Sequence, residues 1–328
     1  MTLASAADGL VVALSGGIGG AKLALGLSRI LPAQELMIVA NTADDFQHLG
    51  LSISPDLDTL TYTLAGLNNP ETGWGRRAET WTFMAALRDL GGEAWFQLGD
   101  GDLAIHVERT RRLAAGETLS QVTEDFCRRL GVRAKLVPMS DDKVRTRVRS
   151  PDGWLDFQDY FVRQRCRPTV LELAFEGRQT ARPQSELLAA LRNPGLRAII
   201  ICPSNPFISI DPILAVPGLQ PALGDSAAPV VAVAPLIGGR AVKGPTAKIM
   251  SELGLKVDAA AVARHYGNLI DGYVVDHGDL GEVTLPGLHV HAAAILMETL
   301  ADREALAREV VAFADRLRAR GKPVRASA

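Results

Sequence analysis

The chain of 328 residues is 47% hydrophobic and 22% charged, with 35 Lys+Arg against 37 Asp+Glu and a formal net charge of −2. That balance excludes disorder, which pairs low hydrophobicity with high net charge, and leaves no global field for holding a nucleic-acid backbone. No apolar run reaches the roughly 18 residues a membrane helix needs, the start has no basic region followed by a long apolar segment, and Cys127, Cys166 and Cys202 are scattered outside any metal spacing, so a cytoplasmic protein without nucleic-acid or membrane partners is expected.

Residues 10–14 are a short apolar run, Ser15-Gly-Gly-Ile-Gly-Gly20 follows, and residues 21–31 are rich in helix formers up to Pro32. Residues 36–40 read as a second buried strand, so the opening is a βαβ unit with a parallel strand pair. Residues 41–58 form a polar loop too long for an ordinary connection, which is usually a functional one. Helices are predicted near 58–65, 78–90, 103–115 and 119–130, with a strand at 94–98 between them. From 133 to 177 the pattern becomes alternating: 143–149 has period two, Ser150-Pro-Asp-Gly153 is a turn, and 154–161 returns as the partner strand. Buried strands recur at 196–202, 229–234 and 273–275, and 304–320 is an amphipathic helix. The expected architecture is α/β: a Rossmann-like parallel sheet flanked by helices, with a smaller inserted α+β region. Residues 8–130 and 190–328 form the core with a helical insertion, and 131–189 form the β-rich insert, interwoven in one unit.

Four glycines in the five positions 16–20 exceed what a strand-to-helix turn requires. They favour close approach of backbone N–H groups to a phosphate at a helix N-terminus. The Gly-Lys-Ser/Thr of a P-loop is absent, and the dinucleotide fingerprint fails at Lys22 and at Asn41, where an acid is expected, so an NAD(P) oxidoreductase loses ground. In the loop after the second strand, Asp44, Asp45, Asp56 and Asp58 suit a magnesium ion bridging carboxylate and phosphate oxygens, while Ser54-Pro-Asp-Leu-Asp58 reads equally as a capped helix start. Asp100, Asp102, Asp141 and Asp142 follow apolar runs, where turn chemistry explains them as well as a ligand does. Pro203-Ser-Asn-Pro206 presents Ser204 and Asn205 from a rigid loop, and Lys243-Gly-Pro245 is a second anion-friendly element. Arg145, Arg147 and Arg149 share a strand face, read as solvated. His289 and His291 lack a third ligand nearby, and no nucleophile elbow is present.

Seven blocks stand in order between residues 11 and 248: Ser15-Gly-Gly-Ile-Gly-Gly-Ala-Lys22, Asn41-Thr-Ala-Asp-Asp45, Ser54-Pro-Asp-Leu-Asp-Thr59, Leu98-Gly-Asp-Gly-Asp102, Pro138-Met-Ser-Asp-Asp142, Pro203-Ser-Asn-Pro206, and Pro235-Leu-Ile-Gly-Gly with Lys243-Gly-Pro245. Together they resemble the 2-phospho-L-lactate transferase family of deazaflavin coenzyme (F-420) biosynthesis. The resemblance implies a magnesium-dependent homodimer. It implies transfer of a phospholactyl, phosphoenolpyruvyl or phosphoglyceryl group from a guanosine diphosphate-linked donor to the ribityl hydroxyl of the deazaflavin precursor Fo, releasing GMP. Carried onto this chain, it assigns Ser15, Gly16, Gly17, Gly19, Asn41, Ser204, Asn205, Lys243 and Gly244 to the donor, and Asp58, Trp74 and Asp100 to the acceptor. Asp56 and Asp58 take the catalytic role, and Asp45, Asp56 and Asp58 the metal. A related family of regulators binds a UDP-sugar without catalysis and is the alternative, although its Pro-Pro-Gly-Asp type segment is replaced here by Ser54-Pro-Asp-Leu-Asp58.

Overall fold

The structure is a computed structural model describing residues 9–321. The chain opens with β1 (Val11–Ser15), α1 (Gly17–Ile30) and β2 (Leu36–Ala40), and every residue of the two strands is buried. The polar loop after β2 contains a small antiparallel hairpin, β3 (Phe46–His48) and β4 (Leu51–Ile53). Leu49 and Gly50 close it, both in the left-handed region with φ of 51° and 74°. Helices α2 (Pro55–Ala65), α3 (Thr82–Asp89), α4 (Asp100–Ala114) and α5 (Leu119–Arg129) follow. Thr118 and Gln121 start α5 with a reciprocal capping box.

Strand β5 (Lys135–Pro138) leads into a three-stranded antiparallel sheet of β6 (Arg145–Ser150), β7 (Gly153–Asp156) and β8 (Glu172–Glu176). Helix α6 (Ser185–Leu191) returns the chain to β9 (Ala198–Ile201), the short helices α7 (Asp211–Leu214) and α8 (Leu219–Asp225), and β10 (Val230–Val233). The two-residue strands β11 (Leu236–Ile237) and β12 (Arg240–Ala241), helices α9 (Thr246–Glu252) and α10 (Ala259–Tyr266), strands β13 (Gly272–Val275) and β14 (His289–Ala292), and α11 (Leu300–Arg320) complete the described chain.

The main sheet has seven strands in the order β14-β13-β10-β9-β1-β2-β5, all paired in parallel. Helices cover both faces, so its central strands read as continuous Val, Ile, Leu and Ala rather than alternating. The expected Rossmann-like α/β fold is the one adopted. From β1 the chain builds outward through β2 to β5, then crosses back to β9 and builds the other way. The turns leaving β1 and β9 therefore diverge and open a crevice at the carboxyl ends of the central strands. Gly26, in the middle of α1, allows α11 to lie against that helix, because a Cβ there would stand 2.1 Å from the Arg303 carbonyl oxygen.

Three expectations need correction. Residues 94–98 form no strand: no neighbouring backbone offers a ladder, and Trp95 and Phe96 pack instead on Phe46 and His48 of the β3–β4 hairpin, with Phe46 and Phe96 ring centroids 4.9 Å apart. Residues 154–161 are strand only as far as Asp156, after which Asp159–Arg163 wind into a wide helical turn. Finally, β5 lies within the segment expected as an insert, yet it is the edge of the main sheet against β2. The inserted sheet proper is β6 to β8, with Thr146 and Val148 buried and the intervening arginines paired outside to Asp156, Glu172 and Glu176. No single helix among the described residues is long and apolar enough to cross a membrane.

Candidate active site

A cavity of about 830 Å³ occupies the crevice. One wall is the turn from β1 into α1. Gly17 opens the helix at φ +63°, a conformation that suits glycine. At Gly19 the reason is space: a Cβ would stand 2.3 Å from the Pro203 carbonyl oxygen. The glycine turn is thereby seated on the loop after β9. Ser204 locks the two together, its Oγ accepting from the Gly16 N–H at 3.1 Å and donating to the Gly16 carbonyl at 2.8 Å. Asn205 uses its Oδ1 to cap the following turn, accepting from the N–H groups of Phe207 and Ile208, and its buried Nδ2 has no partner on a residue that lines the cavity. The N-terminus of the 14-residue α1, with no acidic residue in its first turn, points its dipole at the same space.

The facing wall is the start of α2. The helix start read from Ser54-Pro-Asp-Leu-Asp58 is present, with Ser54 at the N-cap position and Asp56 and Asp58 in the first turn, but no side chain caps it and the carboxylates bond elsewhere. Asp56 Oδ1 accepts from the Gly17 N–H at 2.8 Å and its Oδ2 from Asn41 Nδ2 at 3.0 Å, while Ser54 Oγ donates to Asp45 Oδ2 at 2.8 Å. Burial pushes the Asp56 carboxyl up to about 6, against the lowering effect of those hydrogen bonds. Asp44 lines the cavity as well. Its Oδ1 is buried without a partner, and burial with the neighbouring Asp56 charge holds its carboxyl well above the usual range. Asp58 faces Arg109, which donates through Nη1 to Oδ2 at 3.2 Å and through Nη2 to Oδ1.

Two cations complete the cavity. Lys22 donates from Nζ to the Met297 carbonyl at 2.6 Å, and its ammonium is held below the usual range by burial and then by Arg303 and Lys243. Lys243 donates to the Thr72 carbonyl at 2.9 Å, tying its loop to the one that carries Trp74. The lining also carries five aromatic residues, Trp74, Trp95, Phe96, Phe157 and Phe161; the last two are stacked with centroids 5.2 Å apart.

The carboxylates fit a hard divalent cation. Asp44 and Asp56 both line the cavity, close enough to raise each other's energy when ionised, and Asp44 Oδ1 is buried without a partner. Among the described residues no group of three or more His, Cys, Asp or Glu side chains is arranged to hold a metal. Asp44 and Asp56 are the two carboxylates on the lining that would be available to such an ion.

A family model described as 2-phospho-L-lactate transferase CofD matches residues 11–313. The chain belongs to the 2-phospho-L-lactate transferase CofD family. It is accordingly a transferase. Relatives include the phosphoenolpyruvate transferases of Kitasatospora aureofaciens, 41% identical over 318 residues covering 94% of this chain and 98% of that one, and of Streptomyces griseus, 40% identical over 318 residues at 94% and 99%. The phosphoenolpyruvate transferase of Mycobacterium tuberculosis is 38% identical over 312 residues, covering 88% of this chain and 93% of its own. A crystal structure of a UPF0052-family protein from Bacillus halodurans superposes with a TM-score of 0.59 at 15% identity, covering 93% of this chain and 99% of that one, a likeness of fold alone.

Of the residues the family motifs point to, Gly16, Gly17, Gly19, Asp56, Asp58, Trp74, Ser204, Asn205, Lys243 and Gly244 line the one cavity. Four do not. Ser15 is fully buried in β1, and Asn41 stands behind Asp56 with its Oδ1 accepting from the Ala43 N–H. Asp45 is turned away from the cavity, and the adjacent Asp44 takes the place expected of it. Asp100 is spent on α3, accepting from the N–H groups of Thr82 and Phe83 at 3.0 Å, and Asp102, in the same first turn of α4, lines the cavity instead. Sequence reasoning left Asp102 balanced between turn chemistry and a ligand, and missed Lys22, Tyr62 and His106 on the lining and Arg109 behind it. The available signal was spacing: Asp58 and Tyr62 are i and i+4 on α2, while Asp102, His106 and Arg109 are i, i+4 and i+7 on α4.

Proposed function

We propose that this member of the CofD family transfers a phosphoenolpyruvyl group from a guanosine diphosphate-linked donor to the terminal ribityl hydroxyl of Fo, releasing GMP, with magnesium and as a cytoplasmic homodimer. The observation that carries the reading is the composition of the cavity. Its lining joins a helix N-terminus, Ser204, the free amide of Asn205, Lys22 and Lys243, which suit a nucleoside diphosphate. The aromatic residues on the same lining, Trp74, Trp95, Phe96, Phe157 and Phe161, suit a flat tricyclic ring. The choice of enolpyruvate over lactate rests on the names of relatives that align along nearly the whole chain.

The acceptor oxygen attacks the phosphorus that bears the acid, the bond from that phosphorus to the bridging oxygen breaks, and the bridging oxygen leaves with GMP. Asp58 at the cavity wall accepts the hydrogen bond of the incoming hydroxyl and takes its proton as the new P–O bond forms. The α1 N-terminus and Lys22 hold the diphosphate in line, and Asn205 Nδ2 contacts the guanosine half. Asp44 and Asp56 would hold magnesium, which supplies charge neutralisation on the diphosphate and on the departing GMP.

The test is a reaction of the purified protein with Fo and separately with the enolpyruvyl, lactyl and glyceryl guanosine diphosphate donors, followed by mass spectrometry. Fo carrying the phosphoenolpyruvyl mass, with GMP in equal amount, is expected. Product only from the lactyl or glyceryl donor refutes the substrate assignment, and no product from any donor refutes the reaction.

A further inference from the structure

Five side chains from two helices form a buried ladder along one side of the cavity. Asp58 and Tyr62 project from successive turns of α2, and Asp102, His106 and Arg109 from successive turns of α4. The Tyr62 hydroxyl donates to Asp102 Oδ1, and His106 Nε2 lies 3.3 Å from Asp102 Oδ2. His106 Nδ1 lies 3.4 Å from Arg109 Nη1 and 3.7 Å from Asp58 Oδ2, and Arg109 also donates from Nη1 to the Ser52 carbonyl at 3.3 Å. A guanidinium has only donors, so His106 Nδ1 must be the bare, accepting nitrogen beside it, and the ring proton sits on Nε2 toward Asp102.

We infer that His106 is a positioning residue of the transfer reaction: oriented by Asp102, it fixes through Nδ1 the plane of the Arg109 guanidinium and thereby the orientation of the Asp58 carboxylate at the cavity wall. The geometry argues against simple helix-to-helix glue. His106 is 1% exposed, yet its Nε2 makes no straight hydrogen bond and has no other partner. A buried ring nitrogen so poorly satisfied costs stability that a leucine of similar volume would not. Arg109 would keep its charge partner without the ring, since Asp58 meets it through both oxygens. What the ring adds is a third fixed point. Asp58 and the Ser52 carbonyl already accept from the guanidinium, and Nδ1, a further acceptor beside Nη1, limits its remaining rotation. Tyr62, Asp102 and His106 all border the cavity themselves, so the ladder lies beside the reacting groups rather than in the remote core.

The inference rests on the proposed reaction for its catalytic consequence. The experiment uses the full chain and compares wild type with His106→Leu, which can neither accept nor donate, and His106→Gln, whose amide can do both. In His106→Leu we expect kcat to fall about 10- to 100-fold, the scale of an ångström-level misplacement. KM for donor and for Fo should stay within about twofold, and the melting temperature should be equal or higher. His106→Gln should recover most of the lost kcat. Unchanged kcat in His106→Leu, a loss of kcat that tracks a loss of thermal stability, or no recovery in His106→Gln overturns the inference. Should the wild type fail to turn over any donor with Fo, the reaction is what fails, and a crystal structure of His106→Leu decides the positioning role. Arg109 displaced from Asp58 supports it, and Arg109 unmoved on both carboxylate oxygens overturns it.

Discussion

The guanidinium of Arg109 meets both carboxylate oxygens of Asp58, and both residues are buried between α2 and α4. Removing one partner of such a pair leaves an uncompensated charge out of reach of water, whereas removing both exchanges the pair for apolar packing. Arg109→Met should therefore destabilise the fold by about 3–5 kcal/mol, and the double variant Arg109→Met with Asp58→Leu by clearly less. Urea unfolding midpoints of the two proteins measure this, and equal losses would show that the charge pairing is not what the site depends on.

Asp45 predicts a pH effect of definite sign. Burial, offset in part by Arg145, Ser54 and Arg109, raises its carboxyl from 3.8 to about 7, so the folded chain holds that proton more tightly than the unfolded chain. The contribution is fully present below pH 3.8 and is lost as pH climbs through 7. Asp45→Asn keeps an acceptor for Ser54 and should stabilise the protein by up to about 4 kcal/mol at pH 8 and by little at pH 4. Denaturant midpoints at pH 4, 6 and 8 check it, and a gain independent of pH would be the wrong outcome.

Lys22 and Lys243 repel one another across the cavity, and an anion between them relieves that repulsion. Lys22→Met should weaken GDP binding at least about tenfold, and wild-type binding should weaken as salt is raised. Lys243→Met should lose less, its ammonium being exposed and already donating to the Thr72 carbonyl. Titration calorimetry at two salt concentrations tests this, and undiminished GDP affinity in Lys22→Met would remove that residue from donor binding.

Gly19→Ala places a methyl against the Pro203 carbonyl and must push the glycine turn off the loop that carries Ser204 and Asn205. We expect a loss of about 1–3 kcal/mol in stability together with weaker GDP binding. Gly281→Ala, where a Cβ meets nothing within 4 Å, is the control that should leave both unchanged. Normal GDP affinity in Gly19→Ala would separate the turn from the donor site.

Asp44→Asn should remove the extra thermal stabilisation that magnesium gives in the presence of GDP while retaining the increment from GDP alone, because a ligand that binds only the folded state raises its melting temperature. Scanning calorimetry with GDP, with and without magnesium, is the measurement. Full retention of the magnesium increment would place the ion elsewhere.

The parts of the fold legible in the sequence were those whose signal is local. The run 10–14, the glycine turn and the run 36–40 appear as β1, α1 and β2 because an apolar strand buried on both faces and a glycine-led helix start need no distant partner to be recognised. Residues 94–98 carry the same apolar character and yet form no strand, since a strand is defined by a neighbour, and the aromatic rings of the β3–β4 hairpin claim them first. At the site, the glycines, Asp56, Ser204 and Asn205 stand in loops or in the first turn of a helix, where composition is conspicuous. His106 and Arg109 lie within Asp100–Ala114, where a charged helix face reads as a solvated one; only the packing of α4 against β4, α5 and the side chains of α2 turns it inward. Asp44 and Asp45 could not be told apart for a simpler reason. Neighbouring side chains leave the backbone in different directions, and which of them meets the ligand depends on the turn between them.

The bond from the Gly16 N–H to Ser204 Oγ joins residues 188 positions apart. One half of the proposed donor cradle is therefore made early as the chain emerges, and the other arrives only after the aromatic lining and the inserted sheet have been synthesised. An amino-terminal piece ending before β9 would carry the glycine turn with nothing beneath it. Contacts of such long range are closed late, after the entropy of the intervening loop has been overcome. Recovery of GDP binding during refolding should thus lag behind the return of helical signal, and the nucleotide would report that the glycine turn and the loop after β9 have met.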